Sequence, residues 1–315
     1  MSTQTAILPQ THPAPASPRI YLGVYAVLYV ALLTAMHRNF GFELAEALLV
    51  LAVMGVGFSS LAWLVTRKAV PLTFAVMQPA RESLTLLLYL VPLAGYLAWG
   101  RNLLGRFAIP ELRLSVFVLL IKLAIFVAVP AAILVLIWKY RWQELFAFRG
   151  ATRHWRAAAW MSAAMIAFQC IFGRGLDDIR HSGFSTGIFA FGAPFIYMFL
   201  LLEVGLVEEF FFRVLLQSRL AAWLKSEMAG IVAMSILFGL AHAPGFYYRA
   251  AATHEALGGH PSWLMAIGYS IVITSTAGFF LGVLWMRTRN LLLVMIVHAA
   301  GDFIPNFVPM LKSWM

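Results

Sequence analysis

Apolar runs alternate with short polar segments along most of the chain, lying near residues 20–36, 43–65, 84–99, 113–138, 155–173, 188–217, 229–246, 263–286 and 290–311. A membrane-crossing helix needs about 20 predominantly apolar residues. The pattern therefore predicts about nine spans, or eight if one of the weaker third, fifth and seventh runs does not cross. No stretch alternates polar and apolar residues at the period of a lipid-facing strand, which excludes a barrel. The fold class is all-α, a polytopic transmembrane helical bundle. Residues 1–18 are polar and rich in Pro and Thr, and read as a disordered tail. The run Ile20 to Met36 ends in His37-Arg38-Asn39 with no small-residue cleavage site, the mark of a retained anchor. Residues 19–187 form a first set of helices without chemical motifs; residues 188–315 form a second unit, which carries all of them.

Composition removes whole classes of function. Hydrophobic residues make up 62% of the chain and charged residues 11%, too few charges to cover a soluble surface, so a soluble enzyme is excluded. A single cysteine, Cys170, excludes a disulfide framework and a multi-Cys zinc site, and reads as a core residue. The net charge of +10 does not point to nucleic acid, because Lys and Arg sit in short runs between apolar stretches. With nine spans, Arg19, Arg67, Lys68, Arg81, Lys139, Arg141, Arg149, Arg153, Arg156, Arg219, Lys225, Arg287 and Arg289 gather on one side, against Arg38, Arg101, Arg106, Arg113, Arg174, Arg180, Arg249 and Lys312 on the other. That excess predicts a cytoplasmic amino terminus and an integral protein of the cell membrane. Lys139 to Arg156 mixes Arg with Trp142, Leu145, Phe146, Phe148 and Trp155, and is expected to lie along the cytoplasmic interface. Trp63, Trp99, Trp138 and Trp285 read as interface belts.

An ionisable side chain inside a span costs about 2.5–3.5 kcal/mol on insertion scales, so each needs a reason. Lys122 stands alone among aliphatic residues and is expected to snorkel or meet a backbone carbonyl. Glu203, Glu208, Glu209, Arg213, His242, His298 and Asp302 all lie in apolar stretches. Glu209 and Arg213 are at i and i+4, on one helix face, and neutralise each other. Glu208 is turned about 100° away with no cation nearby in sequence. Phe238 precedes His242 by one helical turn. His298 and Asp302 are again i and i+4, so Asp302 can orient the imidazole or share a proton with it. Counting from the span ends, Glu208, His298 and His242 lie roughly 15, 12 and 22 Å deep, comparable enough for the three helices to bring them together.

Glu-Glu-x-x-x-Arg at 208–213, Phe-x-x-x-His at 238–242 and His-x-x-x-Asp at 298–302 resemble, in order, the three motifs of the CPBP family of intramembrane proteases. That family comprises the type II CAAX prenyl endopeptidases and bacteriocin-processing relatives, and the resemblance covers roughly residues 190–312. It implies that Glu208 and His242 activate water, that Glu209 and Arg213 support the site with Phe238, and that His298 and residue 302 stabilise the oxyanion. Related members carry Asn where this chain has Asp302. An ionised Asp cannot donate to an oxyanion, so either Asp302 is protonated or His298 alone donates while Asp302 holds it.

The resemblance thus implies a glutamic-type endopeptidase acting on a peptide or membrane-protein substrate, lipid-modified or not, with no cofactor. The competing expectations are a zinc metalloprotease using Glu208, His242 and His298, a scaffold or immunity protein that binds a partner, and a proton-relaying transporter. His254-Glu255-x4-His260 has the wrong spacing for a zinc-binding HExxH helix and reads as a solvated loop. No G-x-S-x-G nucleophile setting is present.

Overall fold

The computed structural model describes residues 17–72, 76–107, 109–145, 154–253 and 261–315. Most of the expected tail, the central part of the Lys139–Arg156 segment with Arg149 and Arg153, and the His254–His260 loop lie outside these residues. Among the described residues there is no strand, and eight helices are long and apolar enough to cross a membrane. They are α1 (Pro18–Phe40), α2 (Leu44–Val65), α3 (Pro79–Gly100), α4 (Glu111–Leu136), α6 (Thr186–Trp223), α7 (Glu227–Thr253), α8 (Trp263–Thr288) and α9 (Leu291–Trp314). The weak fifth run forms α5 (Trp155–Phe172), an 18-residue helix. Arg156, Ser162 and Gln169 dilute its apolar character, and it buries Ala157, Ala158, Met161 and Met165.

The helices alternate in direction. At one face, Arg287 at the end of α8 donates to the carbonyl of Thr66 after α2 (2.8 Å), and Arg219 near the end of α6 donates to Glu82 at the start of α3 (2.8 Å). Asn290 before α9 meets His154 before α5 (3.4 Å) at the same face. At the opposite face, Trp314 at the end of α9 donates to Ser115 at the start of α4 (3.1 Å), and Tyr247 of α7 stacks on Trp263 of α8 with ring centres 4.1 Å apart. The helix α5 runs parallel to α9 over the same depth: His154 sits beside Asn290, Met165 closes on Gly301, and Gly175 just past α5 closes on Ile304. The chain is an integral, multi-pass bundle of helices.

Local chemistry sets the ends. Ser17 caps α1 ahead of Pro18, and Gly41, with φ of 66°, ends it, its amide donating to the His37 carbonyl and that of Phe42 to the Met36 carbonyl. Asn290 caps α9 through the amide of Leu293 (3.2 Å). Large apolar side chains such as Val27, Leu88, Val91, Ile171 and Phe191 stay exposed on the outer helices, where lipid is their solvent. The centre is α6, in which every residue from Glu209 to Ala221 is buried.

Two expectations change here. Trp285 is not an interface anchor but fully buried, its indole donating to Ser218 (3.0 Å). Arg219, expected among the charges of the basic face, pairs inside the bundle with Glu82. Both are fully buried, and Glu82 accepts from the Arg219 guanidinium, the Tyr140 hydroxyl (2.8 Å) and the backbone amide of Gln78 (2.6 Å). Burial pushes the Tyr140 phenol up to about 12, so it remains a donor to Glu82 at any physiological pH.

Candidate active site

The helix α6 supplies both glutamates and Arg213. Wide, i→i+5 turns at Leu201–Leu206 and Phe210–Gln217 flank Val207–Glu209, and similar turns occur in α2, α3, α4 and α8. Within this geometry the i, i+4 pairing holds: the Arg213 Nε donates to Glu209 Oε2 at 2.9 Å, with both side chains fully buried. The other carboxylate oxygen, Oε1, accepts from His298 Nδ1 at 2.7 Å. Glu209 therefore bridges α6 and α9. Close backbone approach makes this possible, since a Cβ on Gly205 would lie 2.9 Å from the carbonyl oxygen of Met295.

Glu208 points the other way. Its Oε2 lies 3.8 Å from His242 Nε2, and among the described residues it accepts no hydrogen bond. The His242 Nδ1 lies 2.8 Å from the carbonyl oxygen of Phe238. A carbonyl only accepts, so Nδ1 carries the hydrogen, and in the neutral ring Nε2 turns its lone pair toward Glu208. The two glutamates, adjacent in sequence, thus have different partners and different surroundings.

Phe238 ties the groups together. Its ring lies 4.7 Å from the Arg213 guanidinium carbon, 4.7 Å from the centre of the His242 ring and 6.0 Å from that of His298. The cation–π contact offers the buried guanidinium some compensation, because among the described residues Arg213 Nη1 and Nη2 have no hydrogen-bond acceptor. A Cβ on Gly278 of α8 would lie 3.2 Å from the Phe238 ring, so that glycine makes room for it.

Glu208 and His242 line a cavity of about 150 Å³ between α3, α4, α6 and α7. Its wall includes Tyr96 and Lys122, from helices ahead of the motif-bearing unit, together with Glu203. Of the two expectations for Lys122, the backbone carbonyl holds: its Nζ donates to the carbonyl oxygen of Glu203 (3.5 Å), and it also forms an ion pair with the Glu203 carboxylate on the cavity wall. Asp302 departs from expectation. Its Oδ2 is 3.9 Å from His298 Nε2, too far for a hydrogen bond, so Glu209 rather than Asp302 holds the imidazole. All three motifs converge: Glu208, Glu209, Arg213, Phe238, His242 and His298 form one continuous set, with Asp302 at its margin.

Residues 190–304 match the Rce1-like family of type II CAAX prenyl endopeptidases. The matched segment holds every residue of the three motifs, while Tyr96 and Lys122 lie outside it. No curated protein and no solved structure matches the chain.

Donor placement bears on the zinc alternative. Among the described residues, no three His, Cys, Asp or Glu side chains are arranged to hold one ion. Glu208 and His242 face each other, and His298, held through Nδ1 by Glu209, keeps its Nε2 unengaged among the described residues.

Proposed function

We propose that the chain is an intramembrane endopeptidase that hydrolyses a peptide bond in a membrane-associated or lipid-modified substrate, with Glu208 and His242 activating the attacking water. The family match over residues 190–304 supports a membrane protease of the CAAX type. The observation that carries the finer reading is the gap of 3.8 Å between Glu208 Oε2 and His242 Nε2 on the cavity wall. It is too long for a direct hydrogen bond and suits one water shared by both groups. Glu208 removes a proton as the water oxygen bonds to the scissile carbonyl carbon, and His242 orients that water through Nε2. The same proton passes to the nitrogen as the carbon–nitrogen bond breaks, releasing an amine and a carboxylic acid, which then ionises.

The tetrahedral intermediate carries negative charge on the former carbonyl oxygen. With hydrogen on both ring nitrogens, His298 gives one to Glu209 and the other to this oxyanion. Glu209 then positions His298, Arg213 neutralises Glu209, and Phe238 packs against both histidines and the guanidinium. In the resting enzyme the second hydrogen of His298 faces Asp302. Water activation needs no metal in this scheme. The Lys/Arg-rich face, and with it the amino terminus, is cytoplasmic, with the bundle in the cell membrane.

Glu208→Gln tests the enzyme against the scaffold reading. It keeps the shape of the side chain and removes the base, so a well-folded variant should lose about 10²–10⁴-fold in cleavage rate. Undiminished product formation by that folded variant would assign the bundle to partner binding instead.

A further inference from the structure

We propose that Lys122 is a further catalytic residue, whose ammonium donates to the oxygen of the scissile carbonyl and stabilises the oxyanion alongside His298. This rests on the protease reading above and adds to it a residue from outside the matched segment 190–304.

The attacking water sits between Glu208 and His242, so the carbonyl it attacks must lie in the cavity that those two side chains line. Among the described residues, four side chains with N–H or O–H donors stand on that wall: Tyr96, Lys122, His242 and Tyr248. His242 gives its Nδ1 hydrogen to the Phe238 carbonyl and turns a lone pair inward. The two tyrosines are neutral. Neither His298 nor Asp302 is among the described residues on the wall, and an ionised Asp only accepts. Negative charge that develops in this space therefore meets its positive counterpart in Lys122.

The packing of α4 on α6 holds the ammonium in place. The Glu203 carboxylate pairs with it, and the Glu203 backbone carbonyl accepts from it at 3.5 Å. An ammonium carries three hydrogens, so Glu203 leaves one for a ligand. The same helix aims Glu203 and Glu208 into one space. In a regular helix five residues turn the second side chain about 140° from the first. The wide turn at Leu201–Leu206 reduces that offset, and both carboxylates line the cavity. The charge of Lys122 also acts on that of Glu208.

Charge balance favours a cation here. As the water attacks, Glu208 takes a proton and loses its charge, while the former carbonyl oxygen gains one. Negative charge moves from Glu208 to the oxyanion with no change in total, and the ammonium attracts it at both positions. A donor already fixed where charge develops stabilises the transition state more than the bound substrate.

Kinetics of charge-removing variants test this. The probe is a quenched fluorescent peptide ending in a farnesylated C-a-a-X box, offered to the purified protein in detergent. Lys122→Met should lower kcat by about 10²–10³-fold with little change in KM. Glu203→Gln keeps the ammonium and should lose far less. The double variant Lys122→Met with Glu203→Gln removes both charges of the pair, which guards against misfolding of the single variant, and should stay as slow as Lys122→Met. Four results would overturn the proposal: a kcat near wild type in Lys122→Met, a loss confined to KM, an equal loss in Glu203→Gln, or recovered cleavage in the double variant. The last two would make the pair a clasp between α4 and α6. A wild type that leaves the peptide whole would sink the protease reading, and the role of Lys122 with it; the four results above would sink only the latter.

Discussion

Replacing Glu209 by glutamine changes one oxygen to an amide nitrogen at the point where two helices meet. In the native site the carboxylate accepts from Arg213 Nε at 2.9 Å and from His298 Nδ1 at 2.7 Å, in full burial. The amide has one accepting oxygen and one donating nitrogen, so one of the two native donors must face another donor. That loses one charge-assisted hydrogen bond, worth about 1.5–3 kcal/mol. It also strands Arg213, whose Nη1 and Nη2 already lack acceptors among the described residues. Breaking a buried pair by removing one partner costs about 3–5 kcal/mol in soluble interiors, a loss of roughly a hundred- to several-thousandfold in folding equilibrium. We expect Glu209→Gln to lower the yield of monodisperse protein in detergent and its melting temperature, as well as its activity. The double variant Glu209→Gln with Arg213→Met removes the stranded cation and should recover yield but not cleavage, because His298 still lacks its anchor. Wild-type yield and melting temperature in Glu209→Gln would show that the pair contributes nothing. Recovery of cleavage in the double variant would show that Glu209 only neutralises Arg213 and does not position His298.

Other consequences are quicker to check. Cleavage by the purified protein should survive strong chelation, and loss of activity restored by zinc would reassign Glu208 and His242 as metal ligands. Glu82→Gln should destabilise the bundle by about 3–5 kcal/mol, since it leaves the fully buried Arg219 without its anion; an unchanged detergent melt would contradict that. Lys122→Met leaves Glu203 without its cation on the cavity wall, and should reduce cleavage more than it reduces the melting temperature. Equal losses in both would make the pair a structural clasp.

The sequence makes the motif chemistry legible because helices impose a period on it. Glu209 and Arg213 at i and i+4, and His242 one turn after Phe238, are local relations that survive any tertiary arrangement. Packing of α7 and of α9 against α6 then brings Glu208 to His242 and Glu209 to His298. Pairings across long separations leave no such period. Lys122 and Glu203, like Glu82 and Arg219, meet only because α4 lies against α6 and α3 begins where α6 ends. Each residue was visible as a charge inside or at the edge of a span, and the cost of burying such a charge demands a partner of opposite sign. A search for unmatched charges at equal depth would have proposed both pairs; the helical period alone could not.

The roles of Glu209 and Asp302 show how far local spacing reaches. His298 and Asp302 share a helix face, so proximity was assured, but not contact. The i, i+4 relation leaves Asp302 Oδ2 3.9 Å from Nε2, while the carboxylate of Glu209 on the neighbouring helix reaches Nδ1 at 2.7 Å. The closer partner wins the ring's orientation, and it does so because Gly205 lets α6 approach the α9 backbone at Met295. A side chain at position 205 would push α6 and α9 apart, lengthening the Glu209–His298 contact while leaving the Glu209–Arg213 pair, within one helix, in place. The adjacent glutamates thus divide their work by helix geometry: Glu209, turned inward, fixes a cation and an imidazole, and Glu208, turned about 100° away, faces the cavity with a carboxylate oxygen free to take a proton.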